Sequence, residues 1–182
     1  MKYATFVISA LAGIGMLAGC NAQDQSLPAA PGKESAMKLR STAFEEGKPI
    51  PPKYTCDGEN VSPPLLITGV PEAAKSLALV MDDPDAPRGT FDHWILWNMP
   101  PELTAIKEGV QPDGVPGTNG YRETGYRGPC PPSGTHHYRF KLYAVDATLD
   151  LTKGASKPAL EEAMKGHILA EAVLTGTYAR RK

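Results

Sequence analysis

Carboxylate, imidazole and phenol side chains gather in three short segments of this chain. The segments are DDPDAP (82–87), DHW (92–94) and HHY (136–138). Each lies at the end or the beginning of a predicted strand, and loops at one edge of a rigid sheet are where sites are usually assembled. Imidazoles and a phenol donate hydrogen bonds to oxyanions, and glycine-flanked backbone amides can approach such ligands closely. The three segments therefore predict a small pocket for a phosphate-like or carboxylate ligand.

Asp83 has a different expected role in this pocket. A carboxylate does not fit as a direct ligand of an anion, because like charges repel in a partly dry cleft. We expect Asp83 to orient an imidazole, or to accept a hydrogen bond from a protonated phosphate or an ammonium group. Pro84 and Pro87 fix two φ angles of its loop and push each preceding residue toward extended geometry. The loop should therefore hold its carboxylates in fixed directions, because its backbone has little conformational entropy left to lose.

The elements that must position these groups are mostly β-strands. SLALVMDD (76–83) is a short apolar run that predicts a buried central strand, and HWILWNM (93–99) is rich in aromatic and branched residues. HYRFKLYAVD (137–146) alternates, so that Tyr138 and Phe140 should share one face with Leu142 and Ala144. Residues 37–44 predict an opening strand, and a final strand is expected within 167–181.

Other segments lack strand patterning. KPALEEAMKG (157–166) has Pro158 near its first turn and a terminal Gly, which predicts one short helix. Residues 47–65 are rich in proline without a period, which predicts loop throughout. The excursion between residues 103 and 127 is long enough that it is expected to be functional or disordered. The pattern predicts a mostly β fold in a single domain, residues 38–182.

Composition limits the class of partner. The chain has 182 residues, a formal net charge of −1, and 18 residues each of Gly and Pro. That length fits one domain with a single core, and frequent Gly and Pro favour turns and short strands over a helical bundle. Without a strong field of either sign, nucleic acid is not an expected partner.

The first 20 residues predict a targeting segment. Lys2 precedes an apolar run that is too short to span a bilayer and has the length of a signal-peptide core. LAGC (17–20) resembles a bacterial lipobox, in which the Cys20 thiol is acylated; an ordinary secretory signal that happens to contain a cysteine is the alternative. Residues 21–37 are polar and Pro/Ala-rich, which predicts a flexible tether.

Lipid chains on Cys20 would supply the membrane affinity of such a chain. Asn21, in place of Asp, favours the outer membrane by similarity to Gram-negative lipoproteins. The chain is therefore expected in the cell envelope, facing the periplasm. With Cys20 acylated, Cys56 and Cys130 remain in an oxidising compartment, which favours a disulfide between them. Two free buried thiols are the alternative.

Several motifs carry a family resemblance. DPDAP, HW…NMP and GPCPPSGTHHY follow one another in an order that resembles the phosphatidylethanolamine-binding protein family, in particular its bacterial Raf-kinase-inhibitor-like branch. YTCDGENVSPPL, LYAVD and GHILAEAVLTGTY are similar too, so the resemblance covers roughly residues 38 to 181. It implies a large antiparallel sheet packed on a smaller sheet, with few helices.

The resemblance also implies a ligand set. The two carboxylates of the family's DPDxP loop fall on Asp83 and Asp85. Its His-Arg-Tyr segment falls on residues 136–138, where His137 replaces the Arg, so the contact between that Arg and the DPDxP loop is in question. The implied ligand-binding residues are Asp83, Asp85, His93, Trp94, Gly128, Pro129, His136 and Tyr138. No cofactor and no metal are implied.

Two function classes follow from these observations. The first is a membrane-tethered binding or inhibitory module without turnover, since relatives bind phospholipid head groups or nucleotides and some restrain kinases or proteases. In an envelope lipoprotein a protease or an envelope ligand is expected rather than a kinase. The sequence leaves the oligomeric state open, with a homodimer as one candidate because relatives often dimerise. The second class is an enzyme that uses Asp83, His93 and His136 as a two-His, one-carboxylate metal site or as hydrolytic groups, or that uses Cys130 with His136 as a thiol nucleophile and its base. No short metal-ligand spacing and no GxSxG motif supports the second class.

Overall fold

Two antiparallel sheets form the framework of the computed structural model, which describes residues 36–180. Within this range the chain forms eight strands, one α-helix and one short 3₁₀ helix at Pro52–Tyr54. The elements are β1 (Lys38–Ser41), β2 (Leu65–Thr68), β3 (Ser76–Asp83), β4 (Phe91–Met99), β5 (Ala105–Ile106), β6 (Val115–Pro116), β7 (Thr135–Val145), α1 (Lys157–Met164) and β8 (Ile168–Ala179).

The larger sheet has the strand order β6-β4-β3-β7-β8. Every residue of the inner strand β3 is buried, because both faces of this sheet are covered. That burial explains why the sequence of β3 is a continuous apolar run rather than an alternating one. The predicted central strand over 76–83 is confirmed at both ends.

The smaller sheet, in the order β1-β2-β5, supplies the residues that cover one face of the larger sheet. Its strand β2 alternates, with Leu65 and Ile67 buried and Leu66 and Thr68 exposed. The prediction that residues 47–65 are loop throughout was therefore slightly wrong, because β2 begins at Leu65 and a 3₁₀ turn occupies Pro52–Tyr54. A four-residue strand beside prolines gives too short a pattern to detect.

The other face of the larger sheet is covered by α1. Leu160 and Met164, one turn apart on this helix, pack with Val80, Ile95 and Trp97 in a second core. The helix begins next to Pro158 as predicted, and Gly166 follows its end with φ +78°, a left-handed conformation that favours glycine. No helix among residues 36–180 is long and apolar enough to cross a membrane.

Strands β7 and β8 form a long antiparallel pair, from Thr135 with Ala179 to Val145 with Ile168, and α1 lies in the connection between them. This pairing confirms the predicted final strand. From Thr135 to Ala144 the buried residues of β7 are its even-numbered positions, including Tyr138, Phe140 and Leu142, so the predicted alternation is confirmed; Val145, at the end of the strand, is buried as well. Because β7 is antiparallel to β3, its first residues lie beside the last residues of β3. The fold thus places residues 136–138 next to Asp83.

Candidate functional site

A cavity of about 270 Å³ lies where β3 ends and where β4 and β7 begin. Four of its lining residues are predicted site residues, namely Asp83, His93, His136 and Tyr138. The sheet topology brings them together, because both strands paired with β3 run antiparallel to it. The rest of the lining comes from the loop after β3, from the first residue of β4 and from two later loops: Ala86, Pro87, Arg88, Gly89, Thr90, Phe91, Tyr121, Cys130 and Pro132.

Asp83 and His136 form a buried pair in the cavity wall. The His136 Nδ1 lies 2.7 Å from the Asp83 Oδ2, and both side chains are more than nine-tenths buried. The other carboxylate oxygen, Oδ1, accepts a hydrogen bond of 2.9 Å from the backbone N–H of Asp85. Asp83 therefore orients an imidazole, which is one of the two roles that the sequence suggested for it.

His93 is aimed by an irregularity in β4. Met81 pairs with Trp94 and Asp82 pairs with Asp92, so His93 is the extra residue between two regular pairs. Such a β-bulge bends the strand locally and redirects a side chain, and bulges are common next to functional sites. Because of the bulge, His93 lines the cavity although Trp94, the next residue, lies in the core.

A hydrogen bond determines which ring nitrogen of His93 carries the proton. Its Nδ1 lies 2.7 Å from the carbonyl oxygen of Arg127, which can only accept, so Nδ1 carries the proton. Burial of the ring holds the pKa of His93 below the ordinary value for histidine, against the smaller opposing effect of that bond. His93 is thus neutral near pH 7 and keeps an unprotonated Nε2.

The hydroxyl of Tyr138 is a buried donor without a partner. Its side chain is fully buried, and among residues 36–180 no atom meets hydrogen-bond geometry with its oxygen, although the Asp83 carboxylate and the Cys130 backbone lie close enough to affect its pKa. The Tyr138 ring packs edge-on to His93 at a centroid distance of 5.3 Å and stacks on His136 at 6.5 Å. Burial, together with the charge of Asp83, raises the pKa of Tyr138 far above its usual range. The phenol therefore keeps its proton and remains a donor at any physiological pH.

Aromatic and basic groups form the rim of the cavity. The rings of Phe91 and Tyr121 meet edge to face at 4.9 Å, and the guanidinium of Arg127 lies 5.3 Å from the centre of the Tyr121 ring. Tyr121 is 40% exposed, and Arg88 supplies a cation to the cavity lining. The sequence reasoning missed these rim residues, although Tyr121 belongs to the long excursion between residues 103 and 127 that was expected to be functional or disordered.

The loop that carries the far wall of the cavity is fastened to the segment around the 3₁₀ helix. Cys56 and Cys130 form a disulfide with a Cα–Cα distance of 5.4 Å, and the Cys56 backbone N–H also bonds the Pro129 carbonyl at 3.1 Å. The Gly128 N–H donates to Asn60 Oδ1 at 2.8 Å. A Cβ on Gly128 would lie 2.3 Å from the Tyr54 carbonyl oxygen, so only glycine allows this close approach.

Residues 40–179 match the family model described as "Phosphatidylethanolamine-binding protein". The chain belongs to the phosphatidylethanolamine-binding protein (PEBP) family. It is 55% identical over 150 residues to a UPF0098 protein of Methanothermobacter thermautotrophicus, covering 79% of this chain and 99% of that protein. A UPF0098 protein of Chlamydia muridarum is 48% identical over 147 residues, covering 78% of this chain and 98% of the relative.

Solved PEBP structures share the fold. The crystal structure of a putative PEBP homologue from Chlamydia trachomatis is 46% identical, with a TM-score of 0.78, and the match covers 80% of this chain and 99% of that chain. The crystal structure of Escherichia coli YbcL, described as a new member of the mammalian PEBP family, is 29% identical with a TM-score of 0.75, over 81% and 100% of the two chains. The predicted family and the predicted PEBP-like fold of two sheets and a short helix are both confirmed.

Four residues of the implied PEBP ligand set do not line the cavity. Trp94 is buried between the two sheets, where its ring meets Tyr126 edge-on at 5.5 Å, because its position in β4 points to the core. Gly128 and Pro129 are buried behind the cavity against the segment around Tyr54. Asp85 lies outside because its carboxylate is bonded to His137. These four residues lie outside the cavity lining, and their part in ligand binding stays a prediction.

His137, which stands where the family resemblance implies an arginine, still bonds the DPDxP loop. The Oδ2 atom of Asp85 accepts hydrogen bonds from the His137 backbone N–H at 2.8 Å and from its Nδ1 at 2.7 Å. These two bonds lower the pKa of Asp85. A histidine therefore fastens this loop to β7 at the position where the family has an arginine.

Asp82, the neighbour of Asp83, points to the opposite face of the sheet and was missed as a structural residue. Its fully buried carboxylate is bonded at 2.8 Å each by Arg139, Lys141 and Lys157. Burial opposes the charged form, but these bonds outweigh it and lower the pKa of Asp82. The cluster ties the end of β3 to β7 and α1 directly behind the cavity.

The groups expected of an enzyme can also be located. Among residues 36–180, no group of three or more His, Cys, Asp and Glu side chains is placed to hold a metal ion. Cys130 is bonded to Cys56 and is therefore not available as a thiol nucleophile. A larger groove of about 700 Å³ runs between β1 and β8, but none of the predicted site residues line it.

Proposed function

We propose that this PEBP-family chain is a binding protein for a small phosphate-like anion and that it acts without turnover. The observation that carries the proposal is the Tyr138 hydroxyl, a protonated donor that is fully buried in the cavity wall and unpaired within residues 36–180. Buried polar groups in native proteins are nearly always hydrogen-bonded, and an exception calls for a ligand, a water or an ion. The cavity beside it supplies the space for that partner.

The surroundings of Tyr138 suit a phosphate group rather than an apolar ligand. His93 and His136 lie on either side of the phenol, and Arg88 adds positive charge to the lining. Relatives bear the name phosphatidylethanolamine-binding protein. A phosphate group, either free or in a lipid head group, is accordingly the ligand that we propose for this chain.

A membrane tether at Cys20 belongs to the same proposal. The predicted signal peptide, lipidation site and tether, residues 1–20 and 21–37, lie almost wholly outside the described residues. Lipid chains on Cys20 would hold the domain in the cell envelope, where an envelope protease is the protein partner that we propose. In the native host, Cys20→Ala is expected to move the protein from the detergent phase to the aqueous phase of a Triton X-114 extract. A wild-type protein found only in the aqueous phase would contradict the tether and leave the pocket proposal intact.

Phosphate binding is tested by calorimetry and thermal unfolding. At inorganic phosphate tenfold above Kd, linkage predicts about 1.4 kcal/mol of stabilisation, or about 3–6 °C in Tm for a domain of this size. His136→Ala should abolish the shift. The matched control is His167→Ala, which removes an exposed histidine whose Nδ1 lies 2.8 Å from Asp146, far from the cavity lining. Equal shifts in the two variants would refute the assignment of the site.

A further inference from the structure

We propose that the outer edge of β8 over residues 168–173, called here the open edge, binds an extended segment of a partner protein. The segment would add to the larger sheet as a further antiparallel strand and would place a basic residue opposite Glu171. The open edge lies outside the lining of the anion cavity. The inference is therefore independent of the ligand that we propose for that cavity.

Only one half of the outer edge of β8 is covered. β8 is the last strand of the larger sheet, so one of its two edges has no neighbouring strand. Residues 46–50 cover the second half of this edge, where the Gly47 N–H donates to the Thr175 carbonyl at 2.8 Å. Among residues 36–180, no backbone hydrogen bond reaches the outer edge between residues 168 and 173. The first half of the edge is therefore available to another strand.

The alternation of the strand identifies the unpaired backbone groups. Successive residues of an antiparallel strand direct their N–H and C=O groups to opposite edges. Because Thr175 directs its carbonyl outward, Val173 and Glu171 direct their groups outward as well, whereas Ala172 pairs with Leu142 of β7. The open edge thus presents two donors and two acceptors at strand spacing. An extended peptide backbone can satisfy all four at once, as in binding by strand addition.

The side chains of the open edge are mostly apolar. Three of the six large apolar side chains that are exposed within residues 36–180 lie here, namely Ile168 (46% exposed), Leu169 (41%) and Val173 (43%). Natural sheet edges are commonly blocked by prolines, charges or bulges. Residues 168–173 contain no proline and a single charged residue. The open edge therefore lacks most of the features that prevent a strand from adding.

The groove of about 700 Å³ between β1 and β8 lies beside the open edge. Its lining includes the buried side chains of Leu39 and Phe44 on one side and of Ala172 and Leu174 on the other. Side chains alternate between the two faces of a strand, so every second residue of an added strand would point over this groove. Apolar, β-branched residues fit such positions.

Glu171 determines the charge of the segment that fits. None of the ion pairs within residues 36–180 includes Glu171. It lies opposite Tyr143 of β7, whose pKa is raised by burial and by the charge of Glu171, so that phenol stays neutral and supplies no cation. Opposite charges directly across two strands stabilise their pairing. A Lys or Arg is therefore expected opposite Glu171 in the partner.

A second copy of this chain is less complementary to the open edge. Antiparallel pairing of two copies about Glu171 would place the two carboxylates opposite each other, and like charges in that position are destabilising. The next register in either direction pairs Glu171 with Leu169 or Val173 of the second copy, which leaves the carboxylate without a cation. A strand of different sequence, with a basic residue between apolar ones, avoids both problems.

The test uses a seven-residue peptide, acetylated and amidated, with a central lysine, two valines on each side and a threonine at each end. Its binding to the full-length chain is measured by fluorescence anisotropy. A peptide with glutamate at the centre should bind about two- to thirtyfold more weakly, because repulsion replaces attraction. A peptide that is N-methylated at the lysine should bind at least about fivefold more weakly, because the Glu171 carbonyl loses its donor. NMR hydrogen exchange should show new protection at the amides of Glu171 and Val173.

Two pairs of variants locate the site on the protein. Glu171→Lys should invert the preference, so that the glutamate peptide binds more tightly than the lysine peptide. Glu162→Lys, at an exposed position of α1, changes the net charge equally and should keep the original preference. Val173→Pro removes an outward N–H that the fold does not use, and it should weaken binding of the lysine peptide at least about fivefold. Val173→Thr keeps that N–H and should bind within about twofold of the wild type.

Four outcomes would overturn the proposal. The first is no binding of the lysine peptide up to about 1 mM, the range of a very weak contact. The second is an equal loss of preference in Glu171→Lys and Glu162→Lys, and the third is new amide protection that omits residues 168–173. The fourth is a wild-type dimer in sedimentation equilibrium that Val173→Pro dissociates, since the second copy would then be the occupant. In each case phosphate binding at the cavity can still be measured, so the proposed function stands or fails separately.

Discussion

Replacing Tyr138 by phenylalanine should stabilise the protein and at the same time weaken its ligand binding. The substitution removes a hydroxyl that is fully buried and has no partner within residues 36–180, while the ring stays packed against His93 and His136. A buried unsatisfied polar group costs about 1–3 kcal/mol. Its removal should therefore raise the free energy of unfolding by about that amount, or Tm by about 2–12 °C.

The assay is urea and thermal unfolding of Tyr138→Phe beside Tyr178→Phe, each with and without phosphate. Tyr178 lies on β8, outside the cavity lining, and its hydroxyl donates to Asp57 at 2.8 Å. The same chemical change should therefore lower stability at Tyr178, because it removes a hydrogen bond that is made. In Tyr138→Phe, the affinity for phosphate should fall about tenfold to a hundredfold, the effect of losing one hydrogen bond to a charged group.

Two results would refute this reasoning. If Tyr138→Phe is less stable than the wild type in the absence of phosphate, the hydroxyl has a partner in the free protein. If it is more stable but binds phosphate as tightly as the wild type, the cavity holds a ligand that makes no contact with the phenol.

The remaining predictions concern stability. Asp82→Asn should lower the free energy of unfolding, measured in urea, by about 3–5 kcal/mol, because three cations lose their buried partner. Glu162→Gln, at an exposed pair with Lys165, should change this free energy little, and an equal loss in both variants would contradict the role of the cluster. Reduction of the Cys56–Cys130 disulfide, whose partners are 74 residues apart, should lower the free energy of unfolding by roughly 4 kcal/mol in the chain-entropy model. Thermal unfolding with and without TCEP measures this loss, and an unchanged Tm would contradict the prediction. Because burial depresses the pKa of His93, the unfolded chain binds more protons as pH falls below about 6.5, so stability should decline from pH 7 to pH 5. Unfolding measured across that range should show a flatter profile in His93→Gln.

The strands and the helix that have long sequence patterns could be predicted from the sequence. Ser76–Asp83 is a continuous apolar run, Thr135–Val145 alternates, and Lys157–Met164 has a proline start and a glycine beyond its end. The two-residue strands β5 and β6 left no trace, since pairs such as Ala105–Ile106 are defined by their neighbours in the sheet and have no pattern of their own.

The candidate site could be predicted only in part, for reasons of local backbone geometry. Asp83, His136 and Tyr138 lie at strand ends that the antiparallel strand order brings together. The DPDAP and HHY motifs identify these residues in the sequence. The position of His93 depends on a bulge in β4 that no local residue pattern announces, so Trp94 was assigned to the same site although it lies in the core. Tyr121 reaches the rim from a loop whose path is set by tertiary contacts.

Because Cys56 and Cys130 form a disulfide, the fastening of one cavity wall depends on the redox conditions of the compartment in which the chain folds. Cys130 lines the cavity, whereas Cys56 belongs to a segment that contributes nothing to it. Thiols remain reduced in the cytosol and become oxidised beyond the inner membrane. In a reducing compartment the chain would therefore have every residue of the site without the cross-link that fastens one wall, and an oxidising compartment would supply both.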